Sequence, residues 1–130
     1  MAGFCRSLSL VGLLSLSFSS VAQEVVSPLE TLDCGGLEPH WGLEVDGNTA
    51  TVIDMDMKEI PYVLTAVNST SGYRNHWFYS AQEKGGKHLS FTIESSGQCG
   101  DSMSDFNYQY KVLLNVNDEE AFLGCCNRIK

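Results

Sequence analysis

Apolar and polar residues alternate along most of the chain with the two-residue period of half-buried β-strands. Trp41, Leu43 and Val45 are separated by Gly42, Glu44 and Asp46. The tight turn Asp46-Gly47-Asn48 follows, and Thr49 to Ile53 resumes as a β-branched run, so a hairpin is predicted here. Further strands are predicted at Tyr62 to Val67, His76 to Ala81, Leu89 to Glu94, Tyr108 to Val116 and Ala121 to Cys125. The segments between them, Asn68 to Gly72, Lys84 to Lys87 and the acidic tip Asn117 to Glu120, consist of residues that turns prefer. Gln23 to Asp33 shows no stable period and reads as a leader, ordered near Cys34. Nowhere is there a convincing helical stripe. About six to eight short strands at regular spacing predict an all-β fold, a small antiparallel barrel or sandwich.

The first 22 residues read differently. Arg6 precedes a leucine-rich run from Leu8 to Phe18 that is too short to span a bilayer, and Ser20 and Ala22 are small residues at the spacing of an export cleavage site. Residues 1–22 are therefore expected to be a signal peptide. Residues 23–130 are then one exported domain, periplasmic or secreted and without stable membrane insertion. Cleavage removes Arg6 and Cys5, leaving seven basic residues against sixteen acidic ones, a net charge of −9. Such a surface repels nucleic acid and anionic lipid; it suits a basic partner, or simply solubility.

Four cysteines remain: Cys34, Cys99, Cys125 and Cys126. An even number in an exported chain reads as two disulfides. A bridge between the adjacent Cys125 and Cys126 would be strained, which leaves two pairings. The preferred one joins Cys99 to Cys125, closing the loop-strand-turn-strand segment, and Cys34 to Cys126, tying the mature N-terminal region to the end of the chain; neighbours on a strand point to opposite faces, so the two can reach different partners. The spacing lacks the paired ligand units of zinc sites, so no metal and no cofactor is expected.

Two stretches carry candidate binding chemistry. Asp101, Ser102, Met103 and Asp105 lie on a loop just after Cys99. Its carboxylates and hydroxyls can hold a polar ligand, or can satisfy the backbone of an irregular turn with their own side chains, which is the preferred reading. Glu38, His40 and Trp41 flank Pro39 at the entrance to the first predicted strand. They form either a binding rim or, by the preferred reading, a strand start with Trp41 in the core. Ser71 to Tyr79 is the richest aromatic stretch; it forms either a binding strand with alternating aromatic and polar faces or barrel filling, and because Trp77 and Tyr79 alternate with Phe78 the core is expected to take at least about half of it. Asn68-Ser69-Thr70 fits a glycosylation sequon. No nucleophile sits at a recognisable elbow, so a catalytic site is not expected.

With these residues in view, the chain resembles a family of small, largely uncharacterised bacterial envelope proteins. The resemblance rests on Cys34-Gly35-Gly36-Leu37-Glu38-Pro39-His40-Trp41, on Cys99-Gly100-Asp101-Ser102-Met103-Ser104-Asp105-Phe106-Asn107-Tyr108 and on Gly124-Cys125-Cys126. Leu37 and His40 depart from the usual residues of the first element. The resemblance implies a bacterial source and an envelope location. Its relatives are joined to other small β-rich domains, including ones similar to lysozyme inhibitors. Three functions follow as expectations. The leading one is a non-enzymatic binding or inhibitor-like domain for a basic envelope-targeting protein such as lysozyme. The others are a small-ligand protein or enzyme using the carboxylates of the Glu38 and Asp101 to Asp105 loops, and a structural envelope or stress protein.

Overall fold

The computed structural model describes residues 3, 11–15, 17, 23–37, 39–72, 75–100 and 108–129. Eight strands follow one another: β1 (Thr31–Leu37), β2 (His40–Asp46), β3 (Thr49–Ile53), β4 (Glu59–Ser69), β5 (His76–Gln82), β6 (His88–Cys99), β7 (Tyr108–Val116) and β8 (Glu120–Ile129). Each pairs antiparallel with the next, and β8 pairs with β1, closing an up-and-down barrel. A closed eight-strand barrel has no free edge, and its interior is about wide enough for side chains to fill it.

The inward positions are those the alternation selects. Leu43 and Val45 on β2, Leu89, Phe91 and Ile93 on β6, and Val112 and Leu114 on β7 are all buried. Tyr79 on β5 stacks on its cross-strand neighbour Phe91 with ring centroids 4.6 Å apart. Trp77 meets Tyr110 edge-on, and Phe78 points outward at 42% exposure, so the aromatic stretch divides as its alternation requires. Apolar side chains fill the inside while Asp33, Glu44, Glu94 and Lys111 stand outside, the reverse of a barrel built to sit in lipid.

Both ends are stoppered. The strand order puts the β1–β2 connection and the turns at 54–58, 83–87 and 117–119 at one end, where Trp41 is 4% exposed and packs against Phe122 at 5.8 Å. The other end carries the β2–β3 turn and the chain leading into β1. Here Val25, Ser27 and Leu29 turn inward at alternate positions, and the Ser27 amide donates to the Gly47 carbonyl at 2.8 Å. The Ser27 and Tyr79 hydroxyls share a buried hydrogen bond of 2.8 Å. Burial raises the Tyr79 pKa above the ordinary phenol value; the Ser27 bond partly offsets this, and Tyr110 adds to it. Gln23 to Asp33 is therefore no loose leader: Val25 to Leu29 supply a plug and Thr31 to Asp33 the start of β1.

The two disulfides join Cys34 to Cys126 and Cys99 to Cys125. Cys34 and Cys126 are register partners across the β1–β8 seam, and both side chains lie inside, at 4% and 0% exposure. Cys125 alternates to the outer wall, where it meets Cys99 beyond a register shift in β6. The glycines beside these cysteines make room for Trp41. A Cβ on Gly124 would overlap the Gly35 carbonyl and lie 2.6 Å from the Trp41 ring, and one on Gly36 would run into the indole nitrogen.

Candidate functional site

Of the expected binding residues, the structure describes His40 and Trp41. Glu38, Asp101, Ser102, Met103 and Asp105 lie outside the described residues. His40 opens β2 with an exposed side chain, whereas Trp41, one residue on, is buried and seals the barrel end. The connections carrying the two motifs leave from opposite ends of the strand order, β1–β2 from one and β6–β7 from the other. What ties them together is β8. Cys99 is bonded to Cys125, its Sγ lies 3.4 Å from the Gly124 carbonyl, and Cys125 is the register partner of Gly35 on β1.

Charge on the wall is distributed unevenly. The strands β1 to β4 contain Asp33, Glu44, Asp46 and Glu59 and no lysine or arginine. The strands β5 to β8 contain Glu94, Lys111, Glu120 and Arg128, two of each sign. On the acidic half Asp33 and Glu44 are direct cross-strand partners, both exposed. Like charges in that position repel and cost a few tenths of a kcal/mol or more. Among the described residues neither has an ion-pair partner: Arg128, the nearby cation on β8, is taken by Glu30 at 3.2 Å. Asp46 continues the acidic line two residues beyond Glu44 and accepts a hydrogen bond from Thr31 at 3.2 Å.

Sequence reasoning missed this pair because Asp33 sat in the presumed leader; the usable signal was the outward spacing of Glu44 and Asp46. Among the described residues no group of three or more His, Cys, Asp or Glu is arranged to hold a metal ion. Chemically the wall offers opposed carboxylates on a rigid sheet, suited to ammonium or guanidinium groups of a partner.

The fold and wall define a stapled, filled barrel with its opposed carboxylates on the outer surface. No protein-family description, curated protein or solved structure matches the chain. The resemblance to envelope proteins therefore rests on its three sequence motifs. The two structural disulfides suggest an oxidising compartment outside the cytoplasm.

Proposed function

We propose that the protein is a non-enzymatic binding domain of the bacterial periplasm or cell exterior, docking a basic envelope-targeting protein such as a lysozyme on the outer face of β1 and β2. The observation that carries this reading is the exposed Asp33–Glu44 pair, two carboxylates held side by side with no cation paired to them among the described residues. A basic partner relieves the repulsion on binding, and the uncompensated field of this half steers its approach. The filled interior supports the same reading, because large side chains such as Tyr62, Tyr79 and Phe91 occupy the volume that a ligand-carrying barrel keeps open.

The test is binding of basic hydrolases to the immobilised protein over a salt series. The expected result is an association rate that falls steeply with salt and falls again in the double variant Asp33→Asn, Glu44→Gln. Absence of binding by every basic hydrolase at low salt would overturn the proposal. So would binding that ignores both salt and the double substitution.

A further inference from the structure

The other half of the wall has an apolar row. Leu123 on β8 is the register partner of Leu113 on β7, Leu113 of Thr92 on β6, and Thr92 of Phe78 on β5. Leu123, Leu113 and Phe78 are 60%, 49% and 42% exposed. Three large apolar side chains thus stand in one line across four adjacent strands. Single exposed leucines are ordinary, but a contiguous apolar patch on a rigid sheet marks an interaction surface. The row below adds one opposite pair, Lys111 beside Glu94, which cancel as cross-strand partners. The row above, with Asn115 opposite Ala121 and Ser90, has no charge.

We infer that a second copy of this chain covers the row. Charge selects the occupant. Two exported copies each carry a net charge of −9 once the signal is removed, so they repel through most of their surface. They can approach only through wall that has no net charge, and the wall of β5 to β8 is where the apolar side chains emerge. A two-fold axis parallel to the strands and through the middle of the row sets Leu123 of one copy against the partner's Phe78. It also sets Lys111 of each copy over the partner's Glu94, so opposite charges meet across the interface. Both Asp33–Glu44 faces are left free on the outside. The dimer presents its acidic faces in pairs.

The interface is small. Four strands about 4.8 Å apart, with outward residues about 6.6 Å apart, give a footprint on the order of 300 Å². That is below the roughly 800 Å² per partner of a stable complex, so a weak, concentration-dependent dimer is expected.

Sedimentation of the protein purified from an oxidising compartment, over a concentration series at low and high salt, tests the inference. The expected mass rises from monomer to dimer with concentration, and salt strengthens the dimer because it screens the repulsion. Leu113→Glu keeps the protein monomeric throughout, and amide shifts on dilution of the unaltered protein cluster at Phe78, Thr92, Leu113 and Leu123. A monomer at millimolar concentration and high salt overturns the inference, as do dilution shifts confined to other strands. Salt weakens capture of a basic partner and strengthens the dimer, and Leu113→Glu spares the acidic face. Failure of one proposal is thereby distinguishable from failure of the other.

Discussion

The two disulfides invite separate removal. Replacing Cys34 and Cys126 with alanine opens the seam bridge, which spans 92 residues; replacing Cys99 and Cys125 opens the outer bridge, which spans 26. In the chain-entropy account these spans correspond to about 4.6 and about 3.5 kcal/mol of unfolded-state freedom. The seam pair also takes two fully packed sulfur atoms out of the interior, adding roughly 1 kcal/mol for the space left behind. The half-buried outer pair adds little. The expected losses are therefore about 5.5 and about 3.5 kcal/mol, from a total of about 5–15 kcal/mol for a domain of this size. Guanidinium unfolding followed by tryptophan fluorescence reads the difference, since Trp41 is buried beside the seam. At a slope of about 3 kcal/mol/M, the midpoint falls by roughly 1 M without the outer bridge and by nearly 2 M without the seam bridge. Accessibility gives an independent ordering. A thiol reductant under native conditions opens Cys99–Cys125 first, as read by alkylation and mass spectrometry. Equal losses in the two variants, or a seam bridge that is reduced first, would refute the reasoning.

Gly124→Ala is expected to destabilise the barrel by more than about 2 kcal/mol, because the new methyl group meets the Gly35 carbonyl and the Trp41 ring; thermal unfolding checks it. Tyr79→Phe leaves the buried Ser27 hydroxyl with only the Leu29 amide, which donates to it at 3.4 Å, and costs about 1 kcal/mol by denaturant titration. Because the folded-state pKa of Tyr79 is raised, its contribution is complete below the unfolded value of 10.0 and is lost as pH rises from there through the folded value. Stability therefore falls in alkali above about pH 10, and less steeply in Tyr79→Phe. Asp33→Asn is expected to stabilise the fold by about 0.2–1 kcal/mol at low salt while weakening capture of a basic partner, measured on the same preparation.

Seven of the eight strands were legible in the alternation of apolar and polar residues, together with the tight turn after Asp46. β1 was not, because Gly35 and Gly36 occupy two of its seven positions and erase the alternation that Leu32 and Cys34 begin. The plug formed by Val25, Ser27 and Leu29 was hidden for a related reason: three alternate residues around a proline are too few to register as a period. Adjacency excluded a Cys125–Cys126 bridge and left two pairings, of which the preferred one is present. The surface was harder. That Asp33 opposes Glu44, or that Leu113, Leu123 and Phe78 fall in one row, depends on register between strands, and a single chain read end to end contains no register.

The seam between β1 and β8 joins the two ends of the barrel, and its pairing spans nearly the whole described sheet. Contacts that close so long a loop form late in folding, after the local hairpins. Before that moment β1 and β8 are raw edges, each able to pair with a neighbouring chain. Under reducing conditions the Cys34–Cys126 latch cannot hold, so the sheet stays unlocked. Oxidation then makes closure lasting. The seam cysteines thus tie completion of the barrel to an oxidising compartment, and the speed of refolding should follow the supply of oxidant rather than the chain's own hairpins.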